Sequence, residues 1–265
     1  MIDHSKIAIL STVVNFELYA QTALLFPDHL QRYVIDGTNG MYGLQSIFYM
    51  MKKLRGKGIE WLVMADEDVL FQNPALVFEI IKKMKDQNYT VCGIRDGGIL
   101  KHRNYNPYLI NTFFSVLNFK EIELIWNKKE ILANNYSVEN EFNDDLNDLK
   151  EPFDAQSLYE PYYAFYLWLR RQNKQFLFLE SNHFFQNDAI TNTVYFQNNI
   201  LLHHTWYARG YGKIEKHTQR IDAVLATLNF ENKKTMKPIV FKDKGYYLKT
   251  KIQKFCKRIK MRLKL

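Results

Sequence analysis

Trp61-Leu62-Val63-Met64-Ala65-Asp66-Glu67-Asp68-Val69 carries five apolar residues straight into three acids, two of them spaced i, i+2. A short unbroken apolar run is the pattern of a strand buried on both faces, as in a parallel sheet. In open α/β sheets, ligands bind beyond the carboxyl ends of such strands. Asp66 and Asp68 are therefore expected at the rim of a sheet, where a divalent cation and a phosphate could meet them. Carboxylate oxygens suit Mg²⁺ and Mn²⁺. Acids at such a place carry a cost, because Asp is rarely buried without a partner.

The flanking sequence repeats the theme. Residues 6–14 read as a first buried strand, 16–26 as a helix halted near Pro27, and 32–36 as a second strand entering the turn at Gly37. Residues 42–54 have apolar residues at helical spacing, closed by Gly56 and Gly58. Asn73-Pro74 reads as a helix start, with Asn as N-cap and Pro at the first position, and residues 75–84 continue it. Residues 89–94 form a fourth strand, ending at Arg95-Asp96-Gly97-Gly98, which reads equally as a flexible floor under a ligand or as a plain turn. Alternating β and α elements imply an α/β fold with a mostly parallel central sheet flanked by helices. Three successive strands end in Ser11-Thr12, Asp36-Gly37 and Asp66-Glu67-Asp68, so one rim gathers hydroxyls and acids, as a nucleotide pocket requires.

The second half is less regular. A strand is expected over 112–119, helices over 122–132 and 158–171, and strands over 175–179 and 200–206, the last ending in His203-His204. Residues 134–151, rich in Asn, Asp and Glu, read as a surface loop, and 182–199 as a segment of Asn, Gln and aromatics. No internal repeat is visible.

In a chain of 265 residues, 47% apolar and 15% aromatic residues suffice for a core and exclude wholesale disorder. Cys92 and Cys256 are too few and too far apart for a disulfide framework or a zinc site. The net charge of +8 is uneven: residues 233–265 hold thirteen Lys or Arg against one acid, Asp243, which leaves the rest slightly acidic. That distribution argues against a specific nucleic-acid binder and for a basic tail on a near-neutral body. Within the tail, Tyr246, Tyr247, Leu248, Ile252, Phe255, Ile259 and Leu263 recur at 3–4 residue spacing among the basic residues. A basic amphipathic helix of this kind suits an anionic membrane surface, so residues 246–265 are expected to attach there; an RNA-binding or disordered tail is the alternative. No secretory signal is read at the N-terminus and no apolar stretch approaches the ~18 residues of a membrane span. The expectation is a cytoplasmic protein, peripheral on the inner face of a membrane, divided as 1–110, 111–212 and a basic segment 213–265.

The Asp-x-Asp after an apolar strand in the third βα unit resembles the GT-A glycosyltransferases over roughly residues 5–210. The resemblance implies a Rossmann-like GT-A fold in which residues 1–110 bind a nucleotide sugar and 111–212 bind an acceptor. It further implies that Asp66 and Asp68 hold Mn²⁺ or Mg²⁺, with Asp66 also on the donor, and that Ser11, Thr12 and Asp36 contact base and ribose. A late histidine completes the metal shell in several GT-A families. Adjacent strand residues face opposite sides, and His204 is favoured over His203. Arg209 and Lys213 are candidates for the diphosphate. An inverting transfer needs a carboxylate to take the acceptor proton. Glu160, before a helix start, resembles the acid of the Glu-Asp motif although Pro161 replaces the second acid; Asp154 is its rival, and a retaining reaction stays open. Tyr162, Tyr163, Trp168 and Trp206 offer stacking faces to a saccharide acceptor on a surface glycan or lipid carrier, with core packing the simpler role for Trp168. Two other classes stand beside this reading. A haloacid-dehalogenase-type phosphohydrolase also uses Asp-x-Asp, but its motif opens the chain and is followed by Thr or Val where this chain has Leu70. A non-catalytic, membrane-associated nucleotide-sugar-binding protein is the other.

Overall fold

The computed structural model describes residues 2–230 and 236–262, with the side chains at 253, 254 and 257–262 outside that description. Ile259 and Leu263, two residues of the expected amphipathic stripe, therefore lie outside the described side chains.

Strand β1 (Ile7–Val13) is buried along its length except at Thr12. It pairs in parallel with β2 (Gln31–Asp36) on one side and β3 (Trp61–Ala65) on the other. The remaining strands of this sheet are β5 (Tyr89–Arg95), β6 (Ile110–Asn118), β7 (Gln175–Phe178) and β11 (Ile239–Phe241). Their order is β11-β2-β1-β3-β6-β5-β7. Only β6 runs against its neighbours. The sheet is thus mostly parallel and helix-flanked, as the sequence predicts. Alternate residues of β1 enter opposite apolar layers. Ile7, Ile9 and Val13 meet α1 (Phe16–Thr22), α3 (Leu76–Asp86) and α7 (Glu215–Leu225). Ala8 and Leu10 meet α2 (Leu44–Leu54), α4 (Phe119–Ile125), α5 (Lys128–Ala133) and α6 (Tyr163–Arg171).

A second, antiparallel sheet, in the order β4-β10-β9-β8, comprises β4 (Val69–Phe71), β8 (Glu180–His183), β9 (Asn192–Phe196) and β10 (Asn199–His204). β4, β8 and β9 are additions to the sequence reading, which left 182–199 without a strand. Val69-Leu70-Phe71 resumes the apolar run directly after the acids and pairs with Leu202, His203 and His204. Three local differences have local causes. Asn127 caps a new helix by accepting from Lys129 N and Glu130 N, which splits the expected helix 122–132 in two. α6 starts at Tyr163, after Pro161, rather than at 158. α3 starts at Leu76, and the residue before it, Ala75, gives no side-chain cap.

Beyond residue 212 the chain remains part of this body. α7 buries Ile221, Val224 and Leu225, and β11 adds a parallel edge strand to β2. Phe241 stacks on Tyr33 with ring centroids 5.6 Å apart. The final helix, α8 (Tyr246–Arg262), follows at once.

Candidate functional site

The strand order reverses at β1: the chain steps from β1 to β2 on one side, then returns to place β3 on the other. Such a switch point opens a crevice at the carboxyl ends of the strands. Here it is a cleft of about 460 Å³ lined by Thr12 and Val14 at the end of β1 and by Met64 and Asp66 to Asp68 at the end of β3. Tyr42, Gly43 and Ser46 close it from the start of α2, Glu160 and Tyr162 from the approach to α6, and Tyr207 to Gly210 from the segment after β10.

The three acids have different surroundings. Asp66 is half-buried, and its backbone N–H donates to Phe113 O. Burial, with Glu67 and Asp68 adding to it, pushes its carboxyl well above the usual carboxylate range, against the pull of Arg209. Glu67 accepts from Val14 N at 2.8 Å and Asn15 N at 3.1 Å, so it anchors the turn into α1. Burial and the neighbouring Asp68 nonetheless push its carboxyl up to about 7. For Asp68, burial works upward, but His204 and hydrogen bonds outweigh it and hold the carboxyl below its ordinary value. Its Oδ1 lies 3.3 Å from His204 Nε2 and its Oδ2 accepts from Ala208 N at 3.3 Å.

The pairing of β4 with β10 produces the Asp68–His204 contact. Val69 stands opposite His204, and Thr205 N donates to Asp68 O at 3.1 Å. His204 stacks on Phe113 with centroids 3.9 Å apart, and its Nδ1 is buried with no hydrogen-bond partner among the described residues. Burial lowers its pKa, against the opposing pull of Asp68. His204 touches Asp68 without itself lining the cleft. Among the described residues, no group of three or more His, Cys, Asp or Glu is arranged to hold a metal ion.

After His204 the backbone turns sharply. Trp206 and Tyr207 both adopt left-handed conformations, with φ of 58° and 57°, which bulky residues adopt only where the surroundings impose them. Arg220 imposes them here: it donates to Thr191 Oγ1 at 2.7 Å, to Thr205 O, and to Trp206 O at 3.1 Å. The corner delivers Ala208 N to Asp68 and Arg209 to the cleft, where its guanidinium lies 5.1 Å from the Tyr42 ring centroid.

His203 points elsewhere. Its Nε2 lies 2.7 Å from Gln72 Oε1 and its Nδ1 2.9 Å from Thr193 Oγ1, so both ring nitrogens are taken. Burial pushes its pKa down from 6.5 to about 4. Between those values the unfolded chain binds a proton that the folded chain refuses, so stability rises with pH across that window and falls as pH drops from 6.5 toward 4. His203→Gln should flatten this part of the acid limb in thermal melts taken against pH; an unchanged limb would mean that His203 does not produce it.

Glu160 is on the cleft, and Arg103 Nη2 donates to its Oε1 at 3.0 Å. Arg103 in turn is clamped by Asp96, with Nε to Oδ1 at 2.7 Å and Nη2 to Oδ2 at 2.6 Å. Asp96 is fully buried and also accepts from Asn111 Nδ2 at 2.7 Å, Tyr162 OH at 2.8 Å and Tyr163 OH at 2.6 Å. Burial, and next the Asp96 charge, push both phenols upward and keep them protonated donors. The following glycines form a tight turn and are not among the residues that line the cleft. A Cβ at Gly97 would stand 2.0 Å from Tyr105 O, and Gly98 has φ of 82°. Arg103 and Glu67 were not singled out in the sequence as site residues, and Asp96 was read only together with its glycines, as a floor under a ligand or a plain turn.

Several expected contacts fall outside the cleft. Thr12 lines it, but Ser11 faces the opposite layer, where its Oγ is buried without a partner among the described residues. Asp36 accepts from Thr38 N at 3.0 Å and Lys242 Nζ at 2.6 Å and is held below its usual range by these bonds against the opposing effect of burial. Asp154 is exposed and accepts from Gln156 N at 2.9 Å in a turn along a separate depression. Lys213 is exposed away from the cleft lining, whereas Arg209 is on it. Of the aromatic residues, Tyr162 lines the cleft, while Tyr163 and Trp168 are buried in the core. Trp206 donates to Asn192 Oδ1 at 2.9 Å.

No protein-family model matches the chain, and no curated protein matches it in sequence. Among solved structures it is similar to mannosyltransferase PcManGT from Pyrobaculum calidifontis, in complex with GDP-Man and Mn²⁺, at 9% identity and a TM-score of 0.30. The match spans 45% of this chain and 46% of that one, so less than half of either is covered.

Proposed function

We propose that this chain is a metal-dependent glycosyltransferase that moves a sugar from a nucleoside-diphosphate donor to a saccharide acceptor on a surface glycan or lipid carrier. The observation that carries this reading is the position of Asp66 and Asp68, two residues apart in the chain, on a cleft at the switch point of a mostly parallel sheet. That is the place where such folds bind nucleotides. The sequence resemblance to GT-A glycosyltransferases rests on the same two residues.

The residues fit Mn²⁺ or Mg²⁺ held jointly with a substrate. Two carboxylates plus phosphate oxygens and water satisfy such an ion. Burial first, and Glu67 and Asp68 next, disfavour the Asp66 carboxylate, and a cation bound there would favour it. Asp66 and Asp68 would hold the ion, and His204, in contact with Asp68, would fix that carboxylate's orientation. When bound, the ion neutralises charge on the leaving diphosphate. Arg209 adds a second positive group there, and Thr12 sits where the donor's nucleoside would reach β1. In the transfer, the acceptor hydroxyl oxygen bonds to the anomeric carbon, and the bond from that carbon to the diphosphate breaks with its electron pair on the diphosphate. Glu160 takes the hydroxyl proton if the configuration inverts.

Residues 246–265 would rest on an anionic membrane surface. Leu248 and Ile252 are exposed on α8 beside Lys249 and Lys251. Each basic residue close to such a surface contributes about 1 kcal/mol. No helix among the described residues is long and apolar enough to cross a membrane.

The test is thermal melting against a panel of nucleoside-diphosphate sugars, GDP-mannose included, with and without Mn²⁺. A donor at a hundred times its Kd adds about 2.7 kcal/mol, or roughly 5–10 °C for a chain of this size. No Mn²⁺-dependent shift with any donor would sink the proposal. A shift without release of nucleoside diphosphate on adding acceptors would leave the non-catalytic binding protein.

A further inference from the structure

Beside the cleft lies a second cavity of about 860 Å³. One side is the loop from Asn39 to Gly43 and the start of α2, another is Glu160-Pro161, and the third is α8. Tyr42, Gly43 and Glu160 line both cavities, so the two spaces meet at the carboxylate assigned to the acceptor.

Its lining combines aromatic rings with polar side chains. Four aromatic rings line it, Tyr42, Tyr246, Tyr247 and Phe255, and three of them remain exposed by more than half: Tyr42 at 61%, Tyr247 at 55% and Phe255 at 63%. Large aromatics left open in a concavity mark a binding surface more often than a defect in packing. Asn39, Gln45 and Thr250 supply polar groups among them, the mix by which small-molecule sites fix orientation.

The α8 wall is fastened in place. β11, just before it, is in register on β2; Lys242 donates to Asp36 at 2.6 Å; and Asn39 Nδ2 donates to Asp243 O at 2.9 Å. A segment that served only as a loose membrane tether would need none of these. On α8, Tyr247, Lys251 and Phe255 follow one another at i, i+4 spacing and line the cavity. The neighbouring Leu248 and Ile252 are 62% and 53% exposed. One face of the helix therefore walls the cavity while the adjoining face offers apolar side chains to a membrane, with Lys251 at the border between them.

We infer that this second cavity is the acceptor subsite and that its ligand is a saccharide joined through phosphate to a membrane lipid. The sugar stacks on the Tyr42, Tyr247 and Phe255 faces with a hydroxyl toward Glu160. The phosphate meets Lys251, and the lipid leaves along Leu248 and Ile252. This rests on the sugar-transfer reading and supplies the acceptor that reading leaves open.

Thr250→Trp fills the cavity from α8 without touching the cleft, and Tyr247→Ala removes a stacking face. Phosphatidylglycerol vesicles with and without a prenyl-diphosphate-linked disaccharide are the probes. Read-outs are sedimentation binding, acceptor-independent donor hydrolysis and transfer to the vesicle-borne sugar, with circular dichroism to check folding. The expected result is that wild type binds the sugar-bearing vesicles about tenfold more tightly than the plain ones. Both variants should lose that increment, taken relative to their own binding of plain vesicles, and raise the acceptor KM about tenfold, with donor hydrolysis and donor KM unchanged. Variants that keep the increment and the acceptor KM would overturn the subsite while leaving sugar transfer standing. If wild type neither hydrolyses nor transfers any donor, the sugar-transfer reading falls, and the vesicle increment still decides the cavity. Competition by the free disaccharide diphosphate at equal potency to the lipid-linked form would overturn the lipid-borne ligand.

Discussion

Asp68→Asn is expected to lower metal-dependent donor turnover by about 10²–10³-fold, the scale seen when one charged or polar contact to a developing anion is removed. The folded protein should tolerate the change. The carboxamide oxygen can still accept from Ala208 N, now 3.3 Å from Asp68 Oδ2, and the backbone bond from Thr205 N to Asp68 O is untouched. Losing the charge also relieves Asp66 and Glu67, since Asp68 is among the groups that raise both. Thermal melting should therefore move by only a few degrees, while the Mn²⁺ concentration needed for half-maximal turnover rises sharply. His204→Gln separates orientation from ligation. A partner that only orients Asp68 should cost about 10–100-fold in metal affinity. Full turnover by Asp68→Asn at wild-type Mn²⁺ would remove the metal from the mechanism.

The architecture was legible because its central strands are buried on both faces, and such strands leave unbroken apolar runs in the sequence. Residues 61–65 do so along their whole length, 7–10 and 33–35 over part of their strands, and 89–94 with only Thr90 and Gly93 interrupting. Asp66 and Asp68 were legible for the same reason, as acids at the end of such a run. What stayed hidden depends on pairing between distant segments. Asp36 resembled a ligand-binding acid because it ends a strand, yet Lys242, 206 residues away, holds it once β11 joins the edge of the sheet. His203 and His204 differ only by strand parity, and β4, three residues long, decides what each one meets. Arg103 carries no local signal at all. Its partners Asp96 and Glu160 are 7 and 57 residues away, and only folding places it between them.

Breaking that arrangement should give the largest loss of stability in the molecule. Asp96 is fully buried and collects donors from Arg103, Asn111, Tyr162 and Tyr163, while the Arg103 side chain is only 13% exposed. Burial alone would weaken the Arg103 charge, but Asp96 outweighs it and keeps the guanidinium firmly protonated. Asp96→Asn keeps the shape and puts an NH₂ group where one oxygen faced these donors. The tyrosine hydroxyls can rotate to accept; Arg103 has no acceptor capacity and stays charged. Removing one partner of a buried ion pair costs about 3–5 kcal/mol, so the melting temperature should fall by roughly 10 °C. Arg103→Met leaves the opposite charge stranded and should cost about as much. The two together should cost less than the sum, because each single change strands a charge that the double does not. Strict additivity in that cycle, or an Asp96→Asn protein melting within a degree of wild type, would show that the pair carries no such coupling. The double variant should still be poor at transfer to acceptor even where its stability recovers, since Glu160 then loses the guanidinium that positions its carboxylate on the cleft.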